Sequence, residues 1–571
     1  MERVARLSKN TAALVGARIV TSSLTFILAI IINRNLGPEI AGIYTYAFTL
    51  YTIFQVIPDF GLGNISIRDV SQDISRLRRY FANIVSLRLL LGVLAFSLLM
   101  LTNFVSLALR GSGALSGDKF WVVFTIAFCL LVEQPFSNSL CENFIALERL
   151  GVVALVYLIM GIMKVAMSIY VVTAGFENVL VYLVLIYIVT ILYSIFHLYL
   201  LYRRVLRRTE PAEADVSDMV LAEAVTHGSV PFGDAAMEAL LADYSYAKLT
   251  EGAGTAADDA GESTPAPLVA PPPDVAASIT RFGPFTMDSR LWRYLLVSAW
   301  PLAVVAAGVT IYAGMDVPLI SWIRGDTEVG LYSAAGMFAK ALVFLTLALS
   351  MAVLPAVSKV GGKHPRRLGQ VWERIIHYAL LLVVPLVVII PVLARPILLL
   401  QKFQYIEAWP VTWLTMAAMT FTLMTAISYP FFIVIDKQKT ISIVVLFGLP
   451  LKAVLGIVTI SIWGYTGAAA SVLLSESIVF CLLYWRLSRD LEHRINFLRF
   501  AGVPALMLGT LYGTAFVLHN ALAVGKDTFA SSLQAAFIIA AALTILYIVE
   551  AIVTKVLSRK GLQELNELLT V

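Results

Sequence analysis

Residues 37–47 read GPEIAGIYTYA, and residues 325–335 read GDTEVGLYSAA. The two stretches align without a gap at an offset of 288, which places Gly37 on Gly325, Gly42 on Gly330, Tyr44 on Tyr332 and Ala47 on Ala335. Each joins the end of one apolar run to the start of the next. In the following loop the same offset sets Arg78-Arg79 opposite Arg366-Arg367. A fixed period that recurs in two neighbouring places marks an internal duplication. Residues 1–206 then form one lobe with six apolar spans, and residues 291–487 form a second lobe with six more. Six is even, so both copies enter the membrane from the same side. Such halves are parallel repeats about an axis along the membrane normal, a recurrent transporter plan with the substrate site between them. Residues 488–571 add two spans and a tail outside the repeat.

The composition supports this reading. Of 571 residues, 59% are hydrophobic and 14% charged, and the mean hydropathy is +0.84. Soluble domains are about 45–50% apolar and about 25% charged. That excludes a water-soluble globule and disorder over most of the length. Three cysteines exclude a disulfide-built scaffold. The fold class that remains is an all-α polytopic membrane protein. A spanning helix needs about 20 mostly apolar residues. Fourteen such spans are read at 11–33, 42–66, 83–106, 120–145, 152–173, 178–202, 293–315, 330–356, 374–399, 409–435, 441–463, 466–486, 496–518 and 532–555. The first is too long for the apolar region of a cleaved leader, and no A-x-A-like site ends it.

Lysine and arginine alternate between loops. One set of loops holds Arg3, Arg6 and Lys9, then Arg68 with Arg76–Arg79, then Arg149, Arg203 to Arg208, Lys359 to Arg367, Lys437 and Lys439, Arg486 to Arg494, and Lys555 to Lys560. The opposite set holds little beyond Arg34, Arg110, Lys119, Arg324, Lys402 and Lys526. The positive-inside rule predicts that both termini are cytoplasmic in a cell (plasma) membrane. Residues 207–290 form a cytoplasmic, acidic Pro/Ala/Gly-rich insert between the lobes. Thirteen acids from Glu210 to Asp274 face only Lys248, a charge of −12, so the chain's net +5 leaves +17 on the rest. The composition predicts a disordered linker. It reads either as a spacer or as a docking tail.

Ionisable residues lie inside apolar spans at Arg18, Arg88, Glu133, Lys164, Lys340, Lys452 and Glu476, with Asp59 and Asp316 nearer span ends. A charge at a helix centre costs about 2.5–3.5 kcal/mol, so five basic residues facing lipid would cost roughly 12–17 kcal/mol. Arg18 and Arg88 lie close enough to a span end to snorkel instead. Lys164, Lys340 and Lys452 are deeper and predict a wet cavity. Glu476 reads as a structural ion-pair partner. Glu133, two residues before the helix-loosening Pro135, reads as a cavity acid or proton carrier. Five basic groups against two acids at mid-depth suit an anionic substrate such as a diphosphate, whereas an exporter of cations predicts the reverse balance. The predicted substrate-binding residues are therefore Arg18, Arg88, Lys164, Lys340 and Lys452. The ion-coupling candidates are Glu133, Asp316 and Asp59.

No enzyme chemistry stands out. Gly361-Gly362-Lys363 lacks the remaining glycine and the Ser/Thr of a phosphate-binding loop. Cys129, Cys141 and Cys481 are isolated, with no metal spacing, and no cofactor is expected beyond a coupling ion, H+ or Na+.

Several motifs resemble a known family. Arg34-Asn35-Leu36-Gly37-Pro38-Glu39 with Gly42 and Tyr44 is similar to the RxLGxxxxGxY signature of polysaccharide exporters, and Asp59-Phe60-Gly61-Leu62 to the DfGL that follows. Gly330-Leu331-Tyr332-Ser333-Ala334-Ala335 and Leu354-Pro355-Ala356 resemble the second-half motifs GlYsaA and fPa. The chain, apart from 207–290, thus looks like a Wzx-type flippase of the multidrug/oligosaccharidyl-lipid/polysaccharide (MOP) exporter superfamily. That resemblance implies a two-lobed fold and movement of a polyprenyl-diphosphate-linked oligosaccharide from the cytoplasmic to the outer leaflet. The partners it implies are that lipid-linked saccharide, membrane lipids and other glycan-assembly proteins, with no nucleic acid. It matches Asp316 and Lys340 to family positions. Asn35 and the acidic insert depart from the pattern. Two alternatives remain: a multidrug or cation antiporter, and a membrane enzyme of glycan assembly that would use an outside carboxylate such as Glu407.

Overall fold

The computed structural model describes residues 2–108, 118–176, 178–226, 287–363, 367–491, 497–523 and 529–554. Every regular element among them is helical. The crossing helices are α1 (Glu2–Leu36), α2 (Pro38–Phe54), α3 (Leu77–Ala108), α4 (Asp118–Ala146), α5 (Leu150–Thr173), α6 (Val179–Thr226) and α7 (Ser289–Gly314). The chain continues through α8 (Asp326–Lys363), α9 (Leu368–Gln401), α10 (Trp409–Val434), α11 (438–463), α12 (465–490), α13 (Phe497–Ala523) and α14 (Phe529–Val553). Among the described residues, twelve helices are apolar and long enough to cross a membrane, counting Gln438–Asp490 as one and leaving out α8. At 38 residues, α8 is also long enough to cross.

Gln438–Asp490 cannot be a single crossing. Its 53 residues would reach about 80 Å at 1.5 Å each, twice the span of a bilayer. The chain breaks at Gly464, whose φ of 59° and ψ of −139° suit glycine alone. Thr459 Oγ1 donates to the Gly467 carbonyl at 2.7 Å, a contact a straight helix would not allow between residues two turns apart. Glu328 seals the turn by accepting from the Tyr465 amide at 2.8 Å. The break falls between the two spans read from the sequence.

The duplication is visible in the backbone. Gly37 and Gly325 both have positive φ, 86° and 111°. The next loops of this class turn on Glu148 and Asp436, again 288 apart, with φ of 57° and 56°. α5 and Gln438–Asp490 start at equivalent residues, Leu150 and Gln438. The two copies meet about a pseudo-twofold axis where α2 crosses α8. A Cβ on Gly42 would lie 1.8 Å from the Asp326 carbonyl oxygen, and one on Gly330 would lie 1.9 Å from that of Pro38. Asp326 is the equivalent of Pro38, so the contact is self-complementary. Thr45 and its equivalent Ser333 share a hydrogen bond of 3.4 Å on the axis. The motif glycines are therefore close-approach residues between lobes. Gly42→Ala or Gly330→Ala should cost more than the ~1–3 kcal/mol of ordinary overpacking, because backbone stands in the way. Folded yield on size-exclusion chromatography should fall for both. Gly509→Ala, with open space around its Cβ, should leave it unchanged.

Two further features shape the bundle. Pro135 removes an amide from α4, which widens to a π-helical turn over Glu133–Asn138. Outside the repeat, Met507, Leu511 and Ala515 of α13 and Ile539 and Leu543 of α14 pack on Leu381, Val384 and Val388 of α9. The α6 backbone stays helical through residues 207–226 of the acidic insert, and 227–286 lie outside the described residues.

Candidate functional site

The N-lobe holds Glu133 on the widened turn of α4. Tyr51 of α2 and Tyr187 of α6 donate to the same carboxylate oxygen, Tyr187 at 2.9 Å. Gln55 supports Tyr51 by donating to its hydroxyl at 3.1 Å. Lys164 of α5 lies beside the same cluster. Its Nζ lies 4.9 Å from the Tyr187 ring centre and 5.4 Å from that of Phe48, within electrostatic reach of Glu133. A cation over aromatic faces keeps part of its solvation in polarisable form.

The C-lobe holds a second such unit. Lys452 Nζ pairs with Asp316 at 2.9 Å, donates to the Tyr312 carbonyl at 2.7 Å and lies 4.6 Å from the Tyr312 ring centre. Tyr332 donates to Asp316 at 3.3 Å. Glu476 is within reach of Lys452 and accepts hydrogen bonds from Tyr312 and Thr422. Lys164 and Lys452 are 288 residues apart, so the duplication placed one lysine in each lobe. Sequence reading singled out both but missed their equivalence, although the offset alone would have revealed it. The acids do not follow the offset: the residue equivalent to Glu133 is Phe421.

The other predicted residues fall in different places. Arg88 is fully buried inside the N-lobe. It donates to both Glu142 oxygens at 2.7 and 2.9 Å, to Ser139 at 2.7 Å and to the Gln134 carbonyl at 3.3 Å, with Asp59 at 3.4 Å. Neither snorkelling nor an open cavity describes that setting. Glu142, a few residues from its span end, was missed as the partner. The Arg18 side chain lies outside the described residues.

Lys340 is different. It is exposed, and among the described residues no hydrogen bond or salt bridge meets its ammonium group; only the field of Asp316 reaches it. It lies fourteen residues into α8, about 21 Å along the axis and so near mid-membrane. Ser333, seven residues earlier, is on the same helix face and touches Thr45 of the other lobe. Lys340 thus continues the face of α8 that meets the N-lobe. Between Ser333 and Lys340, a Cβ on Gly336 would meet no atom within 4 Å. The equivalent of Lys340 across the axis, Thr52, is exposed as well. Hydrocarbon at that depth would cost a lysine about 2.5–3.5 kcal/mol.

Polar contacts join the lobes at both ends of the seam. At the end bearing the Gly37 and Gly325 turns, Lys119 of α4 pairs with Asp326 at 2.5 Å and donates to Ser321 at 2.7 Å, while Trp322 donates to Tyr46 at 3.1 Å. At the basic-loop end, Arg79 donates to Asp288, and the Asp288 amide donates to Asn83 at 2.9 Å. Asp69 accepts from Arg68 at 2.8 Å, Tyr80 at 3.0 Å and Tyr294 at 3.1 Å. Partial burial pushes the Asp288 carboxyl up, but hydrogen bonds from Arg79 and the Leu291 and Arg290 amides, with the Arg79 charge, outweigh it and hold it low. A lowered carboxyl pKa gives stability that is present above the ordinary value of about 3.9 and lost only as pH falls below it. Cysteine labelling of the basic-loop end should therefore be flat between pH 5 and 8, and Asp288→Asn should raise it at every pH.

Two lobes related by a parallel repeat, each burying a lysine–acid cluster, make a plan familiar from membrane transporters. Solved structures agree on the fold. The lipid II flippase MurJ in its inward closed conformation matches with a TM-score of 0.57 and 11% identity, over 94% of this chain and 99% of that one. An inward-facing multidrug resistance MATE family transporter of the MOP superfamily matches with a TM-score of 0.53 and 13% identity, over 83% and 96%. No curated protein matches by sequence. The family model described as Polysaccharide biosynthesis protein matches residues 7–223 and 275–360, more than half of the chain. The chain belongs to that family, a flippase family of the MOP superfamily, as the motifs implied. The two structural neighbours are described as a flippase and a multidrug transporter.

Proposed function

We propose that this protein flips a polyprenyl-diphosphate-linked oligosaccharide from the cytoplasmic to the outer leaflet of the cell membrane by alternating access, for surface polysaccharide assembly. The basic-loop end faces the cytoplasm in this reading, following the lysine and arginine bias. The observation that carries it is Lys340, a cation at mid-depth that no described acceptor meets, on the α8 face that also carries Ser333. An anionic headgroup would supply the counter-charge that the protein withholds. Lys164, held over aromatic rings beside Glu133, is the second contact, and Lys452 acts through Asp316 rather than on cargo. Glu133 and Asp316 are the groups through which a proton or cation would couple to movement. MurJ, described as a lipid II flippase, supports this direction by fold alone.

Lys340 also weighs against the cation-antiporter reading, because a cationic guest beside it would meet a like charge. For the enzyme reading, Glu407 is exposed on the short Phe403–Ala408 helix, and Tyr465 donates to its carbonyl at 3.1 Å. Among the described residues no hydrogen bond or salt bridge reaches its carboxylate. The test is competition binding to purified protein in detergent. A diphosphate-linked saccharide should bind and be displaced by free polyprenyl diphosphate. Binding of cationic dyes in its place would support the antiporter.

A further inference from the structure

Arg395 was not among the residues the sequence singled out, because the prolines at 391 and 396 blur the end of its span. In the structure it lies six residues before the end of α9, about 9 Å along the axis. α9 has 34 residues, about 51 Å, against a hydrocarbon core of about 30 Å. Each end overhangs by about 10 Å, so Arg395 sits at the level where the core meets the headgroups. This is the face opposite the basic loops, since Gln401 at the same end bonds Asn33 at 3.0 Å.

Among the described residues no carboxylate or other acceptor meets the guanidinium. The described neighbours of its guanidinium are aromatic or basic. The Trp409 ring centre is 5.8 Å away, His519 of α13 lies on that ring at 4.8 Å, and Arg395 and His519 are within electrostatic reach of each other. The indole is fixed, because Trp409 Nε1 donates to the Pro391 carbonyl at 2.7 Å. Trp413 packs edge-on to Trp409 and to the exposed Tyr512, which closes the wall between α10 and α13. Trp409 also opens the first turn of α10, whose free amides add positive potential.

We infer that Arg395, His519 and the Trp409 ring form a binding site for the phosphate of an anionic lipid in the leaflet opposite the basic loops, at the joint between the C-lobe and α13–α14. A guanidinium is suited to phosphate through two parallel hydrogen bonds, and at this depth a lipid phosphate is the anion in reach. The lipid would be either a bilayer phospholipid such as phosphatidylglycerol or a polyprenyl diphosphate. The site stands whether or not the cargo reading holds, since it uses none of the residues assigned to cargo.

The test uses the full-length protein in detergent, with native mass spectrometry against phosphatidylglycerol, phosphatidylcholine and polyprenyl diphosphate. Arg395→Gln should weaken an anionic lipid about tenfold and leave phosphatidylcholine unchanged, and Arg395→Lys should retain part of the affinity. Loss confined to phosphatidylglycerol assigns a bilayer lipid, and loss confined to polyprenyl diphosphate assigns the diphosphate lipid; either supports the site. His519→Phe, which keeps the stacking, should weaken the same lipid more mildly and serves if Arg395→Gln fails to fold. Equal affinities of wild type and variants for both anionic lipids would overturn the inference.

Discussion

Lys340→Ala should leave the protein folded at normal levels in the membrane and cut translocation of lipid-linked saccharide roughly 10- to 100-fold. A hydrogen bond to a charged group is worth about 1.5–3 kcal/mol, and each 1.4 kcal/mol is a factor of ten. Folding should not suffer, because among the described residues the Lys340 ammonium group has no hydrogen bond or salt bridge to lose. Lys340→Arg should keep most activity, and Lys340→Glu should lose more than alanine does. Surface glycan in a strain lacking its own flippase, normalised to protein level, reads all three. Normal glycan from Lys340→Ala would show that this cation does not handle cargo.

Lys452 should behave in the opposite way. Lys452→Met or Asp316→Leu alone leaves a buried charge without its partner, at a cost of about 3–5 kcal/mol. Native proteins have only about 5–15 kcal/mol in hand. Both single variants should lose most of their folded yield in detergent thermal-melt and chromatography assays. The double variant Lys452→Met/Asp316→Leu should recover part of it, because a buried pair is often replaceable by apolar groups of similar size, less what Glu476 loses with Lys452 gone. Transport by the double variant then separates the pair's structural part from its coupling part. A well-folded but inactive Lys452→Met would instead place Lys452 on the cargo side with Lys340.

Much of the architecture was legible because it depends on local patterns. Hydropathy marks depth, so the spans and even the reversal between 463 and 466 could be read before Gly464 was seen as the break. The repeat was legible because no insertion disturbs the 288 offset from Gly37 through Asp436. Partners were not legible. Whether Arg88 snorkels or pairs with Glu142 depends on the rotation of α3 against α4, which the widened turn at Glu133–Asn138 resets. Asp316 was read as a coupling acid and Lys452 as a cargo cation, yet their helices bring them to 2.9 Å. Arg395 stayed hidden because its neighbours, Trp409 and His519, come from distant parts of the chain. Depth is a one-dimensional property, while charge pairing is decided by how helices turn toward one another.

The most direct test of the account is reconstitution of the purified protein into liposomes with a fluorescent polyprenyl-diphosphate saccharide and a membrane-impermeant quencher. Wild-type protein should move the lipid between leaflets, seen as growing loss of quencher protection, with the saccharide chemically unchanged. Lys340→Ala should slow that movement to near the protein-free rate. Wild-type vesicles that leave the lipid in its original leaflet, or that alter the saccharide, would contradict the account.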